Sequence, residues 1–291
     1  MKVLSLFDGI SCGMVALERA GIPVDAYYAS EIDKNAIAIS QKNYPNIIRL
    51  GDVTKWKEWD IPWAEIDLLI GGSPCQGFSF AGKQLNFNDT RSKLFFEFVD
   101  ILNHIKNKNP NVKFLLENVK MKKQYEQVIT EYLGVKPEYI NSLKLVPQNR
   151  PRIYWTNICF EAIKIKCEKK LKDIISNKNG FEKVADTYKE YKNFYTIPRS
   201  KDGKLINGSY NRIWKTDKFS GSLSVCNTPK IGYAKNGCIF SRKLNIQEAE
   251  KLQTLPLGYT DGVREIERHK VLGNCWTVDV IAHIFKGLVQ E

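Results

Sequence analysis

Asp67-Leu68-Leu69-Ile70-Gly71-Gly72-Ser73-Pro74-Cys75-Gln76 is the stretch on which the reading of this chain turns. An apolar run of strand length ends in two glycines, a serine and a proline, so the chain leaves a buried strand on a tight turn and presents Cys75 at its mouth. A lone cysteine usually packs as a small hydrophobe. Here Pro74 and Gln76 flank it on a glycine turn beyond a strand, which makes Cys75 a candidate nucleophile.

The segments before this turn repeat one design. Residues 3–7 form an apolar strand, Asp8-Gly9-Ile10-Ser11-Cys12-Gly13 a glycine turn, and Met14, Val15 and Leu17 one side of a helix. Gly9 and Gly13 let backbone N–H groups approach a ligand at the start of that helix. A second strand over 25–30 ends at Glu31, near the offset at which an acidic residue reaches a ribose hydroxyl in dinucleotide folds. A helix over 34–43 and a strand over 47–50 follow, and then Gly51-Asp52-Val53, where Asp52 is placed to accept from an adenine amino group. Alone, Glu31 or Asp52 reads as a solvated loop residue or a helix cap. Strand ends that carry site-like residues in series predict an α/β fold, Rossmann-like, with a mostly parallel sheet, helices on both faces and ligands at the carboxyl ends of the strands.

Beyond Cys75, residues 78–91 read as an active-site loop with Gly77 and Gly82 as hinges. A helical pattern from Ser92 places Phe95, Phe98, Leu102 and Ile105 on one buried face. A strand over 113–116 has Glu117-Asn118-Val119 at its end. Gln148-Asn149-Arg150-Pro151-Arg152 leads into a strand over 153–156, where the two arginines would share a side if extended. From 159 to 241 the rhythm stops, which predicts a smaller irregular domain with ordered strands or turns at 210–214 and 222–228. Residues 1–158 and 242–291 then form the catalytic domain. Helical patterns resume over 244–255 and 276–288, the second just after Leu272-Gly273-Asn274.

At 291 residues the chain has enough length for a sizeable core without a metal or disulfide staple. Its formal charge of +12 points to a polyanionic partner, with nucleic acid favoured because basic and aromatic residues interleave. Seven cysteines without a Cys-x-x-Cys pair, and no signal peptide, fit a reducing, cytoplasmic compartment. Three scattered histidines give no zinc pattern, so no metal is expected. No apolar segment approaches the roughly 20 residues that a membrane span needs.

Taken together, Phe7 to Gly13, Glu31, Asp52, Pro74-Cys75-Gln76, Glu117-Asn118-Val119, the Gln148 to Arg152 motif, Arg242-Lys243-Leu244 and Gly273-Asn274 resemble, in order, the motifs of the cytosine-5 DNA methyltransferases. The two ends of the chain look like the catalytic domain of the animal de novo enzymes, whereas Gln76 and the Gln148 motif look like compact bacterial and phage members. Asn245 stands where threonine is usual, Lys251 where arginine is, and Ser222-Leu223 where relatives tend to carry Thr-Leu.

The resemblance implies a class I S-adenosylmethionine-dependent methyltransferase with a target-recognition domain at 159–241. It implies cofactor contacts from Phe7, Asp8, Gly9, Ser11, Gly13, Glu31, Ile32, Asp52, Val53, Pro74, Asn274 and Trp276, with S-adenosyl-L-homocysteine as product. Cys75 would attack C6 of a flipped-out cytosine, Glu117 would hold N3 and the exocyclic amine and donate a proton, and Arg152 would steady O2 with Arg150 nearby or on a phosphate. Gln76, Arg199, Arg212, Lys230 and Arg242 are the DNA-contact candidates. Double-stranded DNA is the expected partner, met by a monomer, with a cognate restriction endonuclease as a further partner.

The same chemistry on tRNA is the first alternative. Its enzymes carry Cys-Phe-Thr, however, and the nearest string here is Cys159-Phe160-Glu161. A non-catalytic accessory protein would lose the nucleophile or the cofactor turn, and a nicotinamide enzyme would have no use for Cys75, Glu117 and Arg152.

Overall fold

The computed structural model describes residues 1–74, 90–164, 167–176, 179–186, 188–197, 212–224 and 228–289. The chain divides into two compact units. One comprises Met1–Ile140, Pro151–Ala162 and Val278–Glu291, and the other Asn141–Arg150 and Ile163–Thr277.

The first unit is built on a seven-stranded sheet. Its strands are β1 (Lys2–Leu6), β2 (Ala26–Ser30), β3 (Ile48–Arg49), β4 (Leu68–Gly71), β5 (Lys113–Val119), β6 (Glu138–Asn141) and β8 (Pro151–Thr156), in the order β3-β2-β1-β4-β5-β8-β6. The intervening β7 (Gln148–Asn149) belongs to the second unit. Strands β1 to β5 pair in parallel and β8 runs antiparallel to β5. All four residues of β4 are buried, the continuous apolar reading of a strand covered on both faces.

Helices α1 (Cys12–Arg19), α2 (Lys34–Asn43), α3 (Thr90–Lys106), α4 (Lys123–Leu133) and, late in the chain, α8 (Val278–Phe285) cover this sheet. Asp33 caps α2, accepting from the N–H groups of Asn35 and Ala36. On α3 the expected face is buried, with Phe95, Phe98, Leu102 and Ile105 inside the core cluster. Helix α4 has no counterpart in the sequence reading, although Tyr125, Ile129 and Leu133 follow helical spacing and Gly134 stops it in the left-handed conformation.

At the end of β4 the backbone itself is packed. A Cβ at Gly71 would lie 3.0 Å from the Leu6 carbonyl oxygen and 3.1 Å from the Phe98 ring. Gly71→Ala is therefore expected to destabilise the protein by about 1–3 kcal/mol through overpacking. Urea unfolding should show a lower midpoint at an unchanged slope.

The second unit is more ordered than the sequence predicts. Strands β9 (Glu182–Ala185), β10 (Lys189–Glu190), β11 (Phe194–Thr196), β12 (Arg212–Lys215), β14 (Lys230–Lys235) and β15 (Cys238–Lys243) form a six-stranded sheet in the order β10-β11-β12-β14-β15-β9. The short β13 (Ser220–Gly221) pairs with β7. Asn236 and Gly237 make the two-residue turn between β14 and β15, both at positive φ as a type I′ hairpin requires. Around the sheet stand α5 (Leu171–Ile174), α6 (Ile246–Leu252) and α7 (Glu265–Asn274).

The compact units are drawn differently from the boundaries read in the sequence, because segments 141–150 and 242–277 join the second unit. Two polar anchors hold them there. Glu248, fully buried, forms a reciprocal capping box with Asn245 and a two-pronged ion pair with Arg242. Arg150 bonds to carbonyls near the end of α7.

Candidate active site

The turn after β1 is held open by its own hydrogen bonds. Phe7 and Ser11 both take positive φ, a conformation that is strained for residues with a side chain. Gly9, also at positive φ, has open space where a Cβ would point. Glu31 organises the turn from the end of β2. One carboxylate oxygen accepts from Gly9 N–H at 2.8 Å, and the other from Ile32 and Asp33 N–H at 2.7 and 2.9 Å.

Behind the turn, Asp8 accepts from the Ser11 hydroxyl and from Tyr27 Oη at 2.8 Å, and Ser11 is in turn bonded to Ser40. Tyr27 and Ser40 were not singled out in the sequence. The available signal was Ser40, a polar residue on the face of α2 that otherwise buries Ala36 and Ile39. At the next strand end, Asp52 Oδ1 caps the turn Val53–Glu58 through the Thr54 amide and hydroxyl, both at 2.9 Å. Val53 is buried, whereas Ile32 is 70% exposed, an apolar side chain open to a flat partner.

Burial pushes the Asp8 carboxyl above its ordinary value of 3.8, against donation from Ser11, Ser5 and Tyr27 and with added repulsion from Glu31. A carboxyl raised in the folded state favours folding below its unfolded pKa and loses that contribution as pH rises through the folded one. The stability of the wild type relative to Asp8→Asn is therefore expected to fall as pH climbs from 3.8 through the raised value. Paired urea titrations at stepped pH would show this, since the other carboxyls cancel in the difference.

The exit of β4 is tied to β5. Asn118, 2% exposed, donates its side-chain amide to the backbone oxygen and hydroxyl of Ser73, fixing the residue before Pro74. Cys75 and Gln76 lie outside the described residues. Strand β5 runs on to Val119, so Glu117 stands within it rather than beyond its end. The cause is the antiparallel partner β8, in which Arg152 lies opposite Val119 and diagonal to Glu117 on the same face. Arg152 Nε meets Glu117 Oε1 at 2.8 Å, both side chains largely buried at 15% and 12% exposure.

The two arginines of the Gln148 motif have separate partners. Arg150, 3% exposed, donates to Ser222 Oγ and to the carbonyls of Leu223, Gly273 and Cys275, all within the second unit. Its guanidinium is a buried pin between these groups. Lysine cannot reproduce that planar fork. Arg150→Lys should cost about 2 kcal/mol by leaving buried carbonyls unsatisfied, read as a lower urea midpoint.

The remaining candidates also lie in the second unit. Leu272-Gly273-Asn274 is the last turn of α7, a helix absent from the sequence reading, and not the lead-in to the final helix. Asn274 is exposed there and Trp276 half-buried. Arg242 is committed to Glu248 and lies 4.8 Å from the Phe181 ring. Arg212 is exposed with its guanidinium 5.0 Å from the Phe194 ring, Lys230 is half-buried, and Arg199 lies outside the described residues.

A parallel sheet in the order 3-2-1-4-5, extended by an antiparallel strand, with a strained turn after β1 and acids at the ends of β2 and β3, defines a class I S-adenosylmethionine-dependent methyltransferase fold. The family model described as C-5 cytosine-specific DNA methylase matches residues 1–290. The chain is similar to the type II methyltransferase M1.ScrFI of Lactococcus lactis subsp. cremoris, at 30% identity over 99% of this chain and 78% of that protein. It is also similar to M.NlaX of Neisseria lactamica, at 31% identity over 97% and 94%. The solved structure of the Entamoeba histolytica methyltransferase EhMeth shares the fold, with a TM-score of 0.72 at 18% identity over 100% of this chain and 98% of that one.

The chain belongs to the C-5 cytosine-specific DNA methylase family. Its reaction is the methylation of cytosine C5 in DNA, and the family's methyl donor is S-adenosylmethionine. Among the described residues no helix is long and apolar enough to cross a membrane, and no group of three or more metal-ligating side chains is assembled.

Proposed function

We propose that the protein methylates one cytosine within a short specific sequence of double-stranded DNA, with Cys75 as nucleophile. The observation that carries this reading is the Glu117–Arg152 pair beside the carboxyl end of β4, from which Cys75 follows after Pro74. Cytosine is electron-poor at C6 and unreactive at C5. Addition of the Cys75 thiolate to C6 moves the ring's electron pair towards C5, which becomes nucleophilic. Glu117 gives a proton to N3 as negative charge develops on the base, and Arg152 holds both Glu117 and the O2 edge. Once C5 carries the methyl group, its proton leaves to a base or water, the double bond re-forms, Cys75 departs as thiolate and N3 returns its proton to Glu117.

The first unit suits the cofactor. The open turn at Gly9, the acid Glu31 and the exposed Ile32 offer room for a methionine tail, a partner for ribose hydroxyls and an apolar cover for adenine, with Phe7, Asp52 and Pro74 completing the set. S-adenosyl-L-methionine supplies the electrophilic methyl group and leaves as S-adenosyl-L-homocysteine.

The target cytosine has to leave the base stack, at a cost of a few kcal/mol. Phosphate contacts from exposed basic residues of the second unit, Arg212 among them, offset that cost. The protein acts as a monomer in the cytoplasm of a prokaryotic or phage-infected cell. The type II names of its relatives support a restriction–modification setting with a cognate endonuclease that reads the same sequence. Incubation with tritium-labelled cofactor, duplex DNA and tRNA, followed by base-resolved mapping, tests the reading. Label at one recurring DNA motif is expected, and a strong preference for tRNA would overturn it.

A further inference from the structure

A second cleft lies in the first unit, away from the strand ends that carry the cofactor turn. It has a volume of about 440 Å³ and is lined by Trp56, Lys57, Trp63, His104 and Lys108. Trp63 shortly precedes the amino end of β4, and His104 and Lys108 precede that of β5, so the cleft faces the sheet edge opposite Gly9 and Glu31. Three rings form its wall. Trp63 and His104 stand edge to face at 4.8 Å, Trp56 is 5.2 Å from His104 and 5.8 Å from Trp63, and Trp59 stacks behind Trp63 at 6.3 Å with the planes nearly parallel.

The cations lie at the mouth. Lys57 and Lys108 are exposed, with Lys57 Nζ 5.7 Å from the Trp56 ring. Glu97 is the neighbouring carboxylate, and it accepts from Trp56 Nε1 at 3.0 Å. Burial, helped by Lys108, lowers the His104 pKa, so its ring stays neutral near pH 7 and offers one donor and one acceptor. Core packing alone explains Trp56. It does not explain two exposed lysines that line, together with a half-buried Trp63, a cleft of ligand size.

We propose that this cleft binds a nucleotide, with its base against Trp63 and His104 and its phosphate between Lys57 and Lys108. Aromatic rings supply sequence-tolerant stacking, and paired lysines supply the charge that a phosphate requires. This inference does not depend on which cytosine the enzyme methylates.

The test is calorimetric titration of the full chain with GMP, guanosine and inorganic phosphate, all in saturating S-adenosyl-L-homocysteine to occupy the cofactor site. GMP should bind at one site, with guanosine and phosphate each about tenfold weaker or more. The charge-reversed double variant Lys57→Glu/Lys108→Glu should weaken GMP about tenfold while leaving S-adenosyl-L-homocysteine binding unchanged. Because both lysines are exposed, this variant keeps the fold that Trp63→Ala risks. No GMP binding, equal binding by the double variant, or phosphate binding as tightly as GMP would overturn the proposal. Competition by a 5′-phosphorylated single-stranded tetranucleotide, lost in the same variant, would identify a strand end as the source. Its absence would leave free nucleotide.

Discussion

Serine at position 75 is expected to abolish methyl transfer, by about 10³-fold or more, while cofactor and duplex DNA still bind. The substitution barely changes volume. It replaces a thiol with a pKa of about 8.5 by a hydroxyl that is not ionised at neutral pH, so the attack on C6 loses its nucleophile. Tritium incorporation into duplex DNA reads the loss, and gel-shift and calorimetric binding show that the variant is otherwise intact. Activity within tenfold of the wild type would mean that Cys75 does not form the bond to C6.

Glu117→Gln should produce the second large loss, about 10²- to 10⁴-fold in turnover, the range for removing a positioned general acid. Glutamine keeps an oxygen to accept from Arg152, so the contact now 2.8 Å long is largely preserved and the fold should tolerate the change. What disappears is the carboxyl proton for N3. The loss is therefore expected in kcat, with KM for DNA little changed. A purely structural role would instead lower the unfolding midpoint and leave the turnover of the folded fraction near that of the wild type.

Where the chain repeats strand, glycine turn and helix, local pattern and tertiary fold agree, and the glycine turn after β1, the strand end at Glu31, α2 and the buried face of α3 were legible at nearly their observed positions. Glu117 was legible at the carboxyl end of its strand but not as an in-strand residue, because its place in β5 depends on the antiparallel partner β8, distant in sequence. The partners of Arg150 were hidden for a similar reason. Nothing near it in the chain announces that the carbonyls of Gly273 and Cys275 will meet its guanidinium.

The second unit was least legible. Its strands span two to six residues, too short for a period of two to stand out. It is held partly by buried polar anchors such as Glu250, which accepts from the Gly258 and Thr260 amides and from Arg268 and reads in sequence as a surface acid. Sequence did hold one usable signal there, Asn236-Gly237 between two apolar runs, which marks the β14–β15 hairpin.

The proposed mechanism turns on a covalent bond between Cys75 and C6 of the target base. Fluorine at C5 cannot leave as a cation, so a duplex in which 5-fluorocytosine replaces cytosine should arrest the reaction after methyl transfer with the enzyme still attached. Nuclease digestion followed by peptide mass spectrometry should then find one modified nucleotide on the peptide that contains Cys75, and only when S-adenosylmethionine is present. Methylated product on ordinary DNA with no adduct on the fluorinated duplex, or an adduct on a different cysteine, would overturn that mechanism.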